Sequence, residues 1–256
     1  MVTPAAVIFD VDGTLVDSER YGHRLAFNAA FEAFDLPYRW DEETYGRLLR
    51  TTGGQRRIEG YLAEQEMDEA SRVPLARDLH IRKTGLLVDL IDSGALQARP
   101  GVARLLGELT EAGVRLAAAT TGSRGWVDRL LGCTLPQFRF DVVVTGDEVS
   151  HRKPAPDAFT EALHRLGVGV EAAVAVEDSY EGLTSAKAAG LVCVVVVNRY
   201  TADHDLSAAD LVLTGFGAPK DRAQLVAGTA VDFSGLLDLS TLTTLLGDAG
   251  VDPLAP

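Results

Sequence analysis

The sequence is poor in cysteine and lacks long hydrophobic runs. Its 256 residues include two cysteines, Cys133 and Cys193, which provide neither a disulfide framework nor the spacing of a cysteine-ligated metal site. No apolar run approaches the ~18 residues of a membrane span, and the N-terminus lacks a basic, apolar signal segment. We therefore expect a cytoplasmic protein with reduced thiols that does not associate with a membrane.

Basic residues are also scarce relative to acidic ones. The chain has 24 Lys and Arg against 37 Asp and Glu, a formal net charge of −13 at pH 7. A nucleic-acid backbone requires a basic surface, so we predict no nucleic-acid partner. An anionic substrate must be attracted by a local site, because the overall field repels it. The hydrophobic fraction of 46% is that of a globular chain.

Two kinds of pattern divide the sequence. An apolar run at residues 5–9 is typical of a strand buried on both faces. From residue 99 onward, predicted strands at 114–120, 140–145, 172–176, 191–197 and 211–213 alternate with predicted helices at 102–112, 125–131, 156–166 and 180–189. This alternation predicts an α/β fold with a Rossmann-like parallel sheet.

The segment between these parts shows helical periodicity and no convincing strand. We therefore predict an α/β core domain formed by residues 1–17 and 96–256, and an inserted helical cap domain at 18–95. A further helix is predicted at 240–246, in a tail whose role the sequence leaves open.

Residues suited to catalysis follow four of the predicted strands. Asp10 and Asp12 end the first strand, and their i, i+2 spacing in an extended backbone directs both side chains to the same side. The carboxyl ends of parallel strands share one edge of a sheet, where active sites of such folds lie. We expect four further side chains to meet the two aspartates there: Thr120, Lys153, Glu177 and Asp178.

This set of residue types suits phosphoryl transfer. A carboxylate can act as the nucleophile, and a second one nearby can serve as general acid and base. Lys153 can neutralise phosphoryl oxygens, and Thr120 can donate a hydrogen bond to one of them. Carboxylate oxygens from Asp10, Glu177 and Asp178 favour Mg²⁺ over softer metals.

Each of these residues also has a structural interpretation. An aspartate pair after a strand can be a turn former. Thr120 could be the N-cap of the following helix, and Glu177 and Asp178 could cap the helix that follows them. These alternatives are separate for each motif, whereas the catalytic interpretation accounts for all of them together.

The four motifs resemble those of the haloacid dehalogenase-like superfamily of phosphohydrolases. They are D-x-D-G-T at 10–14, Thr120 after an apolar strand, K-P-x-P-D at 153–157 and E-D-S at 177–179. The resemblance implies that Asp10 is the nucleophile and Asp12 the general acid and base. It also implies that Mg²⁺ is held by the side chains of Asp10 and Asp178 and the main-chain carbonyl of Asp12, with Glu177 in or beside that shell. Dehalogenases of the superfamily lack an aspartate at the second position, which argues against dehalogenation.

In the inserted segment, residues 23–28, 40–41 and 51–58 are similar to the cap of the CbbY-like branch, which is close to β-phosphoglucomutase. Gly53 and Gly54 can present successive backbone N–H groups to an anion. Arg56 or Arg57 could bind a second phosphate in a bidentate manner, unless they form a solvated helix face, and His23 could equally be a core or surface histidine. The substrate-binding residues that we assign from this resemblance are Asp17, His23, Thr52, Gly53, Gly54, Arg57, Lys83 and Thr121.

The predicted function is that of a Mg²⁺-dependent sugar-phosphate phosphatase acting through an aspartyl-phosphate. The resemblance to the CbbY-like branch favours xylulose 1,5-bisphosphate or a similar ketose bisphosphate as the substrate. A β-phosphoglucomutase-type mutase is the alternative enzyme, and a non-catalytic sugar-phosphate sensor is the alternative of another class. We predict a monomer whose partner is a small phosphorylated sugar.

Overall fold

The computed structural model describes residues 3–228 and 233–249, and the chain forms two compact units. The first unit contains the residues up to Val16 and those from Ala98 onward, and the second is Asp17–Gln97. The junctions lie at 16/17 and 97/98, where the sequence predicts 17/18 and 95/96.

The first unit is built on one sheet, which has seven strands in the described residues. They are β1 Ala6–Phe9, β2 Arg115–Ala119, β3 Val142–Val144, β4 Ala173–Glu177, β5 Val192–Val196, β6 Leu211–Leu213 and β7 Leu225–Gly228. Their order is β3-β2-β1-β4-β5-β6-β7, and every neighbouring pair is parallel except β6 and β7. The predicted α/β class with a parallel sheet is confirmed.

The helices divide between the two units. The second unit contains a π-helical turn at Glu19–His23 and helices α1 Arg24–Ala33, α2 Glu42–Leu48, α3 Gly54–Glu64 and α4 Glu69–Asp92. The first unit contains α5 Val102–Glu111, α6 Arg124–Thr134, α7 Asp157–Leu166, α8 Tyr180–Ala188 and α9 Leu239–Ala249, together with a 3₁₀ turn at Val170–Ala172. None of the helices in the described ranges is long and apolar enough to cross a membrane.

The central strands are apolar because both of their faces are covered. Every residue of β1, β4 and β5 is buried, and the core beside them includes Phe159 and Leu163 of α7 and Leu183 of α8. A strand with two covered faces cannot alternate apolar and polar residues, which explains the continuous hydrophobic runs.

The strand order places a topological switch point beside β1. Within the sheet, β2 and β3 lie on one side of β1, and β4 to β7 lie on the other side of β1. In open α/β sheets, ligands bind at the carboxyl ends of the strands where the order reverses. The end of β1, next to the end of β4, is therefore the place where a site is expected.

Strand β7 was not predicted from the sequence. It pairs antiparallel with β6 at the edge of the sheet, and all four of its residues are exposed. Its sequence, Leu-Val-Ala-Gly, is apolar but only four residues long and ends in glycine, and periodicity alone does not assign so short a run to a strand.

The second unit has its own aromatic core. Phe27, Phe31, Trp40, Tyr45 and Tyr61 form ring contacts with centroid separations from 4.7 to 6.3 Å. These residues come from α1, α2 and α3 and from the segment that joins α1 to α2. These ring contacts pack the three helices and the joining segment against one another.

Candidate active site

Asp10 is placed by the register of β1 against β4. Phe9 pairs with Val176, and the Asp10 N–H donates to the Val176 carbonyl over 2.9 Å. The next residue of β4, Glu177, consequently lies beside Asp10. The chain then turns at Gly13, whose φ of +86° favours glycine, and a Cβ there would overlap the carboxylate of Asp178.

Lys153 joins the ends of three strands. Its Nζ donates to Asp10 Oδ1 over 2.6 Å, to Glu177 Oε1 over 2.5 Å and to the Ala119 carbonyl over 2.8 Å. An ammonium group has three donors, so all three are used. The lysine, which is separated from Asp10 by 143 positions, therefore lies at the expected sheet edge.

Three buried carboxylates surround the space beside Lys153. Asp10, Glu177 and Asp178 each offer an oxygen within 4.8 Å of the others. Asp10 Oδ2 is buried and, within the described residues, accepts no hydrogen bond. Three carboxylates against one ammonium leave an excess of negative charge, which a hard divalent cation can neutralise. The residues present thus fit the cation that the sequence analysis predicts.

Asp178 and Glu177 are held by further hydrogen bonds. Thr14 Oγ1 donates to Asp178 Oδ1 over 3.3 Å, and Asn198 Nδ2 donates to Asp178 Oδ2 over 2.6 Å. Glu177 Oε2 accepts from the backbone N–H of Asp178 over 3.1 Å, while its other oxygen accepts from Lys153. Both oxygens of Glu177 are therefore engaged by the protein.

Burial dominates the ionisation of the cluster. Loss of hydration raises the pKa of Asp10 from 3.8 to about 7; Lys153 opposes this rise, and the charges of Glu177 and Asp12 add to it. Burial, followed by the charges of Asp10 and Glu177, raises the pKa of Asp178 well above its ordinary value. Burial acts to lower the pKa of Lys153, but attraction to Asp10 and Glu177 outweighs it and raises that pKa.

These shifts predict how the metal-free protein responds to pH. The folded state keeps a proton on Asp10 that the unfolded chain loses between about pH 4 and 7, so the free energy of unfolding falls as pH rises through that window. One such group contributes at most about 1.4 kcal/mol per pH unit. Urea unfolding of EDTA-treated protein at pH 5 and 7 measures this change.

The Asp10→Asn variant is the control for that experiment, because the amide does not titrate. We expect a flatter pH dependence of its unfolding free energy than in the wild type. Equal slopes in the two proteins would contradict the assignment to Asp10. Glu148, whose pKa is lowered from 4.5 to about 2, loses its stabilising contribution only as pH falls below about 5, so it changes the unfolding free energy little between pH 5 and 7.

Thr120, Thr121 and Asp12 are the remaining candidate site residues of the first unit. Thr120 is buried at the end of β2, and its Oγ1 accepts from the Gly122 N–H over 3.1 Å. Thr121 and Asp12 are half-buried, and Asp12 lies close enough to Asp10 for its charge to raise the pKa of that carboxyl.

The structure resolves the capping alternatives. Ser123, not Thr120, is the N-cap of α6. Ser179 caps α8 by accepting a hydrogen bond from the Gly182 N–H, so Glu177 and Asp178 are not the N-cap of that helix. The polar side chains at these strand ends therefore lie outside the capping positions.

Gly182 makes room for Glu177. A Cβ at this position would overlap the Glu177 carboxylate, which must then move away from Lys153. We expect Gly182→Ala to lower kcat by about 100-fold, because a misplacement of about 1 Å in a catalytic array has an effect of that size. Steady-state phosphate release measures the change.

Gly107→Ala is the matched control for Gly182→Ala. Gly107 lies in α5, and, apart from its own helix backbone and chain neighbours, no atom of the described residues lies within 4 Å of the position that its Cβ would occupy. This variant should keep its activity and gain up to about 1 kcal/mol of stability from helix propensity. Equal activity in the two variants would show that Gly182 has no role in placing Glu177.

In the second unit, His23 and Lys83 form a buried pair. His23 Nδ1 and Lys83 Nζ are 2.6 Å apart. Lys83 Nζ lies 4.8 Å from the ring centroid of Phe27, and the Arg57 guanidinium carbon lies 5.9 Å from the same ring. The structure thus places Lys83 and Arg57, two of the predicted substrate-binding residues, beside one aromatic ring, and a third, His23, contacts Lys83.

Arg57 is buried, which excludes the solvated-face interpretation for it, whereas Arg56 is exposed. Arg57 donates from Nε to the Leu48 carbonyl over 3.2 Å and from Nη1 to the Tyr45 hydroxyl over 3.1 Å. That hydroxyl donates in turn to the carboxylate of Glu19. Sequence analysis did not select Glu19 or Tyr45, because neither belongs to a recognisable motif.

The remaining substrate-binding candidates of the second unit lie near the start of helix α3 or at the start of the unit itself. Gly53 has a φ of +94° and precedes α3, whose first residue Gly54 packs so closely on His80 that a Cβ would contact the imidazole at 2.8 Å. Thr52 is exposed just before this turn. Asp17 begins the second unit, and its carbonyl accepts a hydrogen bond from the Tyr21 N–H.

Known proteins resemble this chain over most of its length. Residues 4–190 match the family model of haloacid dehalogenase-like hydrolases. The protein CbbY of Cereibacter sphaeroides is 45% identical over 214 residues, which cover 82% of this chain and 92% of that protein. The phosphorylated carbohydrates phosphatase of Thermotoga maritima is 33% identical over 189 residues, which cover 73% of this chain and 82% of that enzyme.

A solved structure agrees with these sequence relatives. The D10N mutant of CbbY from Rhodobacter sphaeroides, in complex with xylulose-(1,5)-bisphosphate, is 42% identical and superposes with a TM-score of 0.75. The match covers 83% of this chain and 94% of that one. The chain therefore belongs to the haloacid dehalogenase-like hydrolases, in their CbbY-like branch.

Proposed function

We propose that this enzyme is a Mg²⁺-dependent sugar-phosphate phosphatase in which Asp10 is the nucleophile. The enzyme class, a phosphoric monoester hydrolase, follows from the family. The observation that carries the proposal is the environment of Asp10. Lys153 holds Oδ1, whereas Oδ2 is buried and accepts no hydrogen bond from the described residues. One carboxylate oxygen is thus fixed and the other is left for reaction.

In the first step, Asp10 Oδ2 attacks phosphorus and the bond from phosphorus to the sugar oxygen breaks. Asp12 donates its proton to the departing sugar oxygen. Asp12 then takes a proton from the water that attacks the aspartyl-phosphate, which releases inorganic phosphate and restores Asp10. Lys153 and Thr120 compensate the charge on the phosphoryl oxygens.

The metal would be held by Asp10, Asp178 and the main-chain carbonyl of Asp12. When bound, Mg²⁺ supplies charge neutralisation for the transferring phosphoryl group. Glu177 uses both oxygens for Lys153 and the Asp178 N–H, which supports a place for it beside the metal shell instead of within it.

We propose a ketose bisphosphate, most specifically xylulose 1,5-bisphosphate, as the substrate. The support is the CbbY structure at 42% identity, which contains this molecule. The second unit adds hydrogen-bonding and positively charged side chains from His23, Arg57 and Lys83. These side chains can bind the part of the substrate that is not transferred. Asp17, Thr52, Gly53, Gly54 and Thr121 remain proposed binding residues.

Phosphate release from a panel of sugar phosphates with Mg²⁺ tests the proposal. We expect the kcat/KM for xylulose 1,5-bisphosphate to exceed that for xylulose 5-phosphate by at least about 100-fold, because the monophosphate lacks the second phosphate that would make charge-assisted hydrogen bonds to the proposed binding residues. Equal, slow turnover of all compounds would contradict the substrate assignment. Conversion of β-glucose 1-phosphate into glucose 6-phosphate without phosphate release would identify a mutase, and binding without turnover would identify a sensor.

A further inference from the structure

We infer that Asn198 is a positioning residue for Asp178: its side-chain amide fixes the orientation in which that carboxylate faces Asp10 and Glu177. The inference rests on the proposed function, because it concerns the proposed metal ligands. Asn198 lies just beyond β5 and belongs to none of the four sequence motifs.

The direction of the Asn198 amide is set by its own turn. Its Oδ1 accepts from the backbone N–H of Tyr200 over 2.8 Å. Its backbone N–H donates to Thr201 Oγ1 over 3.0 Å, and the Thr201 N–H donates back to its carbonyl over 3.3 Å. Because the amide oxygen already has a backbone donor, the NH₂ group is the end that faces Asp178.

That NH₂ group lies closer to the Asp178 carboxylate than the Thr14 hydroxyl does. The Asn198 Nδ2 to Asp178 Oδ2 distance is 2.6 Å, against 3.3 Å from Thr14 Oγ1 to Oδ1. Asn198 Nδ2 also lies 3.4 Å from the Gly13 carbonyl. Asn198 therefore links the carboxylate of β4 to the turn that follows Asp10.

The backbone on both sides of this link is anchored by Arg99. Its Nη1 donates to the carbonyls of Gly13 and Val196 over 2.6 and 2.9 Å, and Nη2 donates to the Val197 carbonyl over 2.7 Å. The end of β5 and the turn at Gly13 are thus fixed to each other. Asn198 projects from a rigid position, as a residue that orients another must.

An amide is suited to this role for a chemical reason. A lysine beside Asp178 would neutralise the carboxylate and compete with a cation, whereas a neutral amide orients it and leaves its charge unchanged. The NH₂ group donates at every pH and cannot itself bind the cation. Residues that orient metal ligands in this way typically contribute 10-fold to 100-fold to metal affinity, which sets the scale of the expected effect.

The test is the Mg²⁺ affinity of Asn198→Ala, measured without substrate by isothermal titration calorimetry. We expect the dissociation constant for Mg²⁺ to rise by about 10-fold to 100-fold. Turnover should be reduced at low Mg²⁺ and should recover toward the wild-type kcat as Mg²⁺ is raised, with the KM for the sugar phosphate unchanged. Asn198→Ser, whose hydroxyl can accept from the Tyr200 N–H but is too short to reach Asp178, should show the same loss if Asn198→Ala does not fold.

Asn28→Ala is the matched control. Asn28 is also half-buried, and its amide bonds to both the N–H and the carbonyl of Trp40 in the second unit, over 2.7 and 2.8 Å. This variant should lose stability and keep its Mg²⁺ affinity. Unchanged Mg²⁺ affinity in the Asn198 variants would overturn the positioning role and leave the proposed function standing. Absence of Mg²⁺ binding in the wild type would instead overturn the metal assignment of the proposed function.

Discussion

Asp10→Asn should reduce the rate of phosphate release by at least about 10⁴-fold, because the amide cannot replace the carboxylate as nucleophile. Removal of a catalytic nucleophile typically lowers kcat by this factor or more. The substitution keeps the size of the side chain and leaves an oxygen that can accept from Lys153, whose Nζ lies 2.6 Å from Asp10 Oδ1. The variant should therefore fold and bind the sugar phosphate. Steady-state phosphate release and equilibrium substrate binding measure the two properties separately.

Asp205→Asn is the control for removing one negative charge. Asp205 is exposed and accepts hydrogen bonds from Ser207 alone in the described part of the chain. It should keep wild-type activity. Turnover by Asp10→Asn at more than a hundredth of the wild-type rate, in a preparation shown free of deamidation by mass spectrometry, would contradict a covalent role for Asp10.

Lys153→Met should be nearly inactive and also much less stable without metal. The substitution removes the ammonium group that pairs with Asp10 and Glu177, two of the three clustered carboxylates. Removing one partner from a buried ion pair destabilises a protein by about 3–5 kcal/mol, and loss of charge stabilisation at the phosphoryl group lowers kcat by about 10³-fold. Urea unfolding of the metal-free protein at pH 7 and phosphate release with Mg²⁺ provide the two measurements.

Lys187→Met removes a lysine from an ion pair that is only partly buried. Lys187 Nζ lies 2.8 Å from Asp210 Oδ2, and 34% of its side chain is exposed. We expect a loss below about 1 kcal/mol and no change in kcat. If the two lysine variants lost equal stability, or if Lys153→Met retained a tenth of the wild-type kcat, Lys153 would not be the charge centre of the site.

Much of the first unit's site was predictable because parallel strands align their carboxyl ends. Asp10, Thr120 and Asp178 each follow an apolar run, and the alternation of strands and helices already places such ends at one edge. The sequence could not show that β4 lies directly beside β1. That pairing is a long-range result of the fold, and it brings Glu177 next to Asp10.

Contacts within the site were less predictable than its location. Asn198 follows β5 in a loop without a motif, and only the chain's path brings it within 2.6 Å of Asp178. The spacing of a motif reports local geometry, whereas this contact joins positions 20 residues apart through the packing of two strands. The choice of a glycine at position 182 is likewise explained only when the Glu177 carboxylate is seen against it.

In the second unit, helical periodicity predicted helices but not which polar groups they bury. Arg56 and Arg57 are adjacent in sequence, and the helix turns one outward and the other into contact with Tyr45. The sequence pattern of an amphipathic helix does not define which residues at the edge of its apolar face are buried. Distinguishing Arg56 from Arg57 therefore required the orientation of α3 against α2.

The most direct test of the account is to identify the residue that becomes phosphorylated during turnover. Enzyme quenched while it hydrolyses a sugar phosphate is reduced with borohydride, which converts an aspartyl-phosphate into homoserine, and the N-terminal peptide is sequenced by mass spectrometry. The account predicts homoserine at Asp10 and unmodified aspartate at Asp12. Homoserine at Asp12, or rapid turnover with no modified aspartate under conditions that trap a known aspartyl-phosphate, would contradict it.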